Sequence, residues 1–274
     1  MSGCARSCAL WLLGWTVAGA AFFYFFLTFG RLEPQIYWAA AGAGLFTATC
    51  VAYVIGIWNS WRERATLLDT VAGTPPVDGA WVAVSGTIRA NSPLRTPLSN
   101  LPAVAYEYKI SRVERSGKHT SEVTYYDGKA LAPSIIATRQ GSVRLLAVPL
   151  FDVPSEKIEH STEVANALRY ISTTSFQTSN TPKTAKIGVE QELTDDDGNF
   201  RVDKKHSDRD VDLEECRYSE KVIQQGEMIC AFGIFSQQRG GLIPHSSWAH
   251  QARVMRGDAT DVARQLRNRI IKYI

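Results

Sequence analysis

Apolar and polar positions fall into two regimes along this chain. From Ala9 to Phe29 no residue is charged, and a second uncharged run covers Pro34–Trp61. A helix rises about 1.5 Å per residue, so either run is long enough for a hydrocarbon core of roughly 30 Å. The pattern predicts two membrane helices, spanning about 9–29 and 37–58. The short connection Gly30–Ile36, with Pro34 in it, turns them into an antiparallel hairpin that makes residues 1–61 an anchor. Arg6, the apolar Ala9–Val17 and an Ala18-x-Ala20 site would also suit a cleaved signal peptide. The apolar run continues through Phe22–Phe26 to Phe29 with no polar break, so an uncleaved span is the expectation.

Two features refine the anchor. Tyr37 and Trp38 at one end of the second run, and Trp58 and Trp61 at the other, are rings that prefer the lipid–water boundary. Ala40, Gly44, Ala48, Ala52 and Gly56 recur at every fourth position, one helical stripe along which another backbone can approach. Arg6 lies on one flank and Arg62 with Arg64 on the other, while the connecting loop offers Arg31 beside Glu33. The positive-inside tendency then puts both ends, and the large domain, in the cytoplasm.

After a linker at 62–75, closed by Gly73-Thr-Pro-Pro76, the period changes from helix to strand. Arg62–Val71 could prolong the second helix a little way out of the membrane. Trp81–Arg89, Val104–Val113, Glu122–Tyr126, Ile135–Thr138, Val143–Val148 and Met228–Phe235 read as short strands. Within the second of them, Val104, Tyr106, Tyr108 and Ile110 alternate onto one side. Glu163–Ile171 reads as a helix. Ile187–Leu193 and Phe200–Lys204 flank Asp195-Asp-Asp-Gly-Asn199, a hairpin signal. Asp258–Ile274 reads as a terminal amphipathic helix, with Val262, Leu266 and Ile270 at four-residue spacing. The fold class expected is a membrane-anchored α+β protein: a two-helix hairpin, a β-rich barrel-like domain (OB-like or sandwich) over 76–257, and a C-terminal helix over 258–274.

Composition sharpens this. Of the charged residues only Arg6, Arg31 and Glu33 fall in the first 61 positions, along with 14 of the 28 aromatics. A net charge of +3 is too small to argue nucleic-acid binding by bulk charge. Charge is uneven locally: 190–215 holds eleven acids and four bases, an acidic insertion, while 253–274 holds six bases and two acids. The two stretches could pair with one another. Alternatively Arg264, Arg267, Arg269 and Lys272 could face lipid headgroups, although docking of the helix on the domain core takes precedence.

The chemistry-bearing residues exclude more than they assign. Cys4, Cys8 and Cys50 lie in or beside the membrane segment, and position alone would allow acylation of the first two. Cys216 and Cys230 remain for the domain, with no C-x2-C, so a zinc ribbon or RING double site lacks ligands. Cys230 reads as a small core residue and Cys216 as the more exposed thiol. His119, His160, His206, His245 and His250 are scattered, and no H-E-x-x-H, G-x-S-x-G, Walker loop or G-x-G-x-x-G occurs. Asp195–Asp197 before Gly198 lack the first calcium ligand of an EF-hand loop, since Leu193 stands there. No catalytic residue, cofactor or metal is expected.

Pro76-Val-Asp-Gly79, Trp81-Val-Ala-Val-Ser-Gly-Thr-Ile88, Ser92-Pro-Leu94, Pro102-Ala-Val-Ala-Tyr-Glu-Tyr108 and Arg217–Gly233 together resemble one family. It is the GIDE or "beside a membrane" (BAM) domain of membrane-anchored mitochondrial and chloroplast ubiquitin ligases and their prokaryotic relatives. The likeness covers about 76–150 and 212–245. It implies a membrane-proximal β domain. It does not carry over the RING, whose zinc ligands these five cysteines cannot supply. The ligases also place the domain between two spans, whereas here both spans precede it, which opens the opposite sidedness.

The expectation is therefore an integral, two-span membrane protein that is not an enzyme. Its domain docks or senses a membrane-protein partner, a second copy or a lipid-proximal ligand. Ser92, Pro93 and Leu94 with Gly240 and Gly241 are candidate contact loops, although plain turn chemistry takes precedence at each residue. Alternatives are an accessory component of a ubiquitin-type ligase system, with the RING supplied in trans, and an oligonucleotide-binding barrel. The barrel reading would use Tyr106, Tyr108, Lys109 and Arg112.

Overall fold

The computed structural model describes residues 14–25, 28, 34–116, 119–158, 161–178, 194, 198–206, 212–243 and 252–273. The chain is α+β, with a barrel-like sheet and a C-terminal helix. It divides into two compact units. One is Met1–Ala65 with Pro182–Gly188 and Gln265–Ile274, and the other is Thr66–Thr181 with Val189–Arg264.

In the first unit, residues 14–25 form helix α1. Helix α2 runs Pro34–Val71 and includes the one stretch among the described residues, Gly42–Val71, long and apolar enough to cross a membrane. Large apolar side chains on it stand exposed: Trp38, Phe46, Val51, Val54, Ile55, Trp58 and Trp61. Its threonine hydroxyls turn back on the helix, Thr47 donating to Ala43 O and Thr49 to Leu45 O, each at 2.8 Å. That satisfies both hydroxyls without water. The segment expected as a linker, 62–75, is thus helical through Val71, because Arg62-Glu-Arg-Ala supplies good helix formers. The stop is Gly73 at φ +81°, whose N–H reaches Thr70 O at 3.1 Å while Thr74 N–H reaches Asp69 O at 3.1 Å. Glycine takes this left-handed turn without steric penalty.

The second unit begins with the last turn of α2, where Leu67 is fully buried and Thr70 Oγ1 donates to Ala83 O at 2.8 Å. The strands are β1 Trp81–Ala90, β2 Leu94–Arg95, β3 Pro102–Ser116, β4 His119–Leu131, β5 Ser134–Thr138, β6 Gly141–Leu145, β7 Leu150–Asp152 and β8 Glu156–Ile158. After helix α3, Ser161–Thr173, come β9 Gln177–Thr178, β10 Phe200–Lys205, β11 Arg217–Gln224, β12 Met228–Ser236, β13 Gly241–Ile243, β14 Arg253–Arg256 and helix α4, Ala259–Tyr273. β1, β5, β6, β13 and β12 pair in a ring that closes through β12–β1, and β14 and β7 extend it. A second sheet runs β8-β11-β3-β4-β10-β9, with β2 on β3.

Between the sheets lies an apolar core of Val84, Ile88, Val104, Leu131, Ile136, Ile223, Ile229 and Val254, among others. The other face of the second sheet carries Tyr106, Tyr108, Ile110 and Tyr218, covered by Val164, Ala167, Tyr170 and Ile171 of α3. These four recur at helical spacing, which is why α3 is amphipathic. Val104 departs from the expected alternation and joins the inter-sheet core. Ala105 faces Ile223 and Ala103 faces Gln224, so the register slips at Val104 and the bulge turns its side chain over.

The hairpin expected across Asp195–Asn199 has only its second strand, β10, among the described residues. That strand pairs antiparallel with β4 and parallel with β9. Ile187–Leu193 and the Asp195–Asp197 tip lie outside the described residues.

Candidate functional site

A polar constellation joined through a buried carboxylate forms where α3 ends over β10. Successive residues of a strand point to opposite faces, so Arg201 and Asp203 share the face under α3. The Asp203 carboxylate is almost fully buried. Tyr108 and Tyr170 donate to its Oδ1 at 2.8 and 2.7 Å, and Arg201 Nε donates to Oδ2 at 3.0 Å. Arg201 Nη2 also donates to the Tyr170 hydroxyl at 2.8 Å, and its guanidinium carbon lies 5.5 Å from that ring's centre. Gly128 makes room for this: a Cβ there would sit 2.6 Å from Tyr108 Cε1 and 2.7 Å from Asp203 Oδ1.

Burial raises the Tyr108 pKa, and the Asp203 charge raises it further. Burial likewise raises Tyr170, with its tyrosine and aspartate neighbours adding to the effect. Both phenols therefore stay protonated donors at physiological pH. The arrangement fixes hydrogen-bond donors and does not poise a base. Beside it opens a cleft of about 420 Å³ lined by Thr173, Thr174, Ser175, Gln177, Arg201 and Asp203. Thr173 Oγ1 is committed to Arg169 O at 2.9 Å. The Thr174 and Ser175 hydroxyls, the Gln177 amide and the half-exposed edge of Arg201 form a polar rim suited to hydrogen-bonding acceptors on a bound group. Sequence reading missed this cluster. Arg-x-Asp in a strand was the only local signal, and its partners stand 31 to 95 positions away.

The expected site residues are distributed elsewhere. Gly44 is buried, and a Cβ on it would lie 2.7 Å from Gly19 N and 2.9 Å from Trp15 O, so here α2 meets the backbone of α1. A Cβ on Gly14 would lie 3.9 Å from Ala48 Cβ, which continues the contact. Gly56 has open space around it. Ala40 and Ala52 lie on α2, with side chains outside the described set.

Ser92 and Pro93 are exposed before Leu94, which pairs with Ala103 in the second sheet. The following loop hangs on buried Glu220, which accepts from Leu98 N at 3.1 Å, Ser99 N at 3.2 Å and the Ser99 hydroxyl. Gly240, at φ +60°, and Gly241 belong to the barrel. A Cβ on Gly241 would meet Arg144 O at 2.6 Å, so close strand approach accounts for it. The two candidate loops therefore sit on different sheets. Tyr106 and Tyr108 are core residues, Lys109 pairs with Glu122 and Arg112 with Glu215, so the set suggested for an oligonucleotide face is internally occupied.

Cys230 is fully buried, its thiol pushed up to about 12 by burial, and Cys216 is partly exposed. Among the described residues no group of three or more His, Cys, Asp or Glu could hold a metal. His206 pairs with Asp127. His160, His245 and His250 lie outside the described residues.

The strands Trp81–Ala90 and Pro102–Ser116 are joined in the sheets to the strands of 217–236. β1 pairs with β12 from Trp81–Ile234 to Thr87–Met228, and β3 pairs with β11. No protein-family model, no curated protein and no solved structure matches the chain.

Proposed function

We propose that this chain is an integral membrane protein whose β unit is a non-catalytic docking module, with the Arg201–Asp203 cleft as its contact site. The observation that carries the reading is α2. No residue from Pro34 to Trp61 is charged, and its large apolar side chains stand exposed around the helix. A helix apolar on all sides is stable when other helices or lipid surround it. Trp58 and Trp61, with ring centres 5.9 Å apart, suit the boundary beside Arg62 and Arg64. The approach of Gly44 to Gly19 supports α1 as the second span, antiparallel to α2. Charge flanking then favours a cytoplasmic β unit.

Docking is favoured over catalysis by the cleft's chemistry. Its buried carboxylate is saturated by three donors and its phenols stay protonated, so it offers fixed hydrogen bonds to a polar partner surface. The test is the full chain in its native membrane, carrying a photocrosslinking amino acid at Ser175. The expected result is resistance to alkaline carbonate extraction and a discrete adduct at Ser175 that Arg201→Ala reduces about tenfold. Release by carbonate would overturn the membrane reading. An embedded chain with no adduct, or with one indifferent to Arg201, would overturn the cleft as the docking site.

A further inference from the structure

Helix α4 presents two unlike faces. Ala259, Val262, Ala263 and Leu266 are buried, while Arg264, Arg267, Asn268 and Ile271 are exposed. The exposed four stand at positions i, i+3, i+4 and i+7, a single stripe. Ile271 is 61 % exposed, one turn beyond Arg267, which places a large apolar group among cations where water gains nothing from it. The buried residues and the exposed stripe thus lie on different faces of α4.

Beyond Arg264 the charge on this stripe has one sign. Gln265–Ile274 contains Arg267, Arg269 and Lys272 and no acid. These residues belong to the same compact unit as Met1–Ala65. Among the described residues of that unit beyond Trp61, the charges are Arg62, Arg64, Arg267, Arg269 and Lys272 against Glu63 alone. Asp258 caps the start of α4 by accepting from Asp261 N at 2.8 Å, and Asp261, in the first turn where a negative charge complements the helix dipole, engages Arg264 at 3.3 Å.

We infer that the stripe Arg264–Arg267–Asn268–Ile271, with Arg269 and Lys272 beside it, binds the anionic headgroups of the bilayer that α2 crosses. This rests on the membrane reading of α2. An exposed aliphatic residue flanked by arginines suits the headgroup boundary, where the apolar group enters and the guanidinium groups meet phosphates. Each arginine near an anionic surface contributes about a fivefold gain in partitioning. The helix therefore holds more tightly to anionic membrane than to neutral membrane.

The experiment places the full chain in nanodiscs of phosphatidylcholine, with or without about one third phosphatidylglycerol, and follows amide hydrogen exchange over α4. The expected result is exchange at 264–271 slowed about tenfold by the anionic lipid, with the slowing lost at high salt. The Arg264→Gln/Arg267→Gln/Arg269→Gln variant should match the wild type in neutral discs, which shows that it folds, and should gain no protection in anionic ones. Equal wild-type exchange in both discs would overturn the inference. So would protection that survives the triple substitution, or that follows the number of chains per disc and so marks a second copy as the occupant. A chain that does not enter the discs defeats the membrane reading, and this inference with it. An embedded chain with an indifferent α4 defeats the inference alone.

Discussion

Buried carboxylates carry the polar economy of the β unit, and the two are built differently. Asp203 has a cation beside it. Glu220, 1 % exposed, has hydrogen-bond donors instead: Leu98 N, Ser99 N and the Ser99 hydroxyl. Burial raises the Glu220 pKa, and those hydrogen bonds only partly oppose it. A carboxyl whose folded pKa exceeds its unfolded one binds more protons in the folded state. Its favourable contribution is therefore complete below the ordinary glutamate range and declines as pH rises through the folded pKa. Urea unfolding of the wild type should show this fall as pH rises above the ordinary carboxylate range, and Glu220→Gln should lack it. An identical pH dependence in both proteins would show that Glu220 is not the titrating group. The substitution should also loosen 96–101 at every pH, because an amide nitrogen replaces one acceptor, at a cost of about 1–3 kcal/mol.

Elements explain which parts of the fold could be read from the sequence. β1, β5 and β12 were legible because β-branched runs bounded by Gly, Pro and Ser leave little choice of conformation. The ring that joins them was not. Its β6–β13 step is a parallel pairing of Gly241 with Arg144 and Leu242 with Leu145, across nearly a hundred residues, and no local pattern encodes it. The Arg201–Asp203 cleft was hidden for the same reason, since α3, β9 and β10 each supply part of it. The small-residue stripe was legible as a pattern, whereas its direction was not. Gly44 and Ala48 face α1, and Gly56 faces open space. Gly44→Leu should therefore force the two helices apart, costing about 1–3 kcal/mol through overpacking, while Gly56→Leu should leave the pair intact. Disulfide trapping between cysteines placed on α1 and α2 would measure this. Equal trapping in the two variants would contradict the Gly19–Gly44 contact.

For the whole molecule the question is whether the β unit owes its fold to the residues that precede it. The cores between the sheets and under α3 draw their buried residues from within Thr66–Arg264, and in the same unit Leu67 is fully buried and Thr70 ties the end of α2 to β1. A core complete within one segment is what lets that segment fold alone. A chain beginning at Arg62 should accordingly be folded without detergent, whereas one beginning at Thr74 should lose Leu67 from the core, about 2–5 kcal/mol, and unfold more readily. Thiol chemistry reads the difference directly. Cys230 lies in β12 with its pKa pushed up to about 12, so in the longer fragment it should resist an aromatic disulfide reagent while the partly exposed Cys216 reacts. If Cys230 reacts as fast as Cys216 in the fragment from Arg62, the β unit depends for its fold on residues before Arg62.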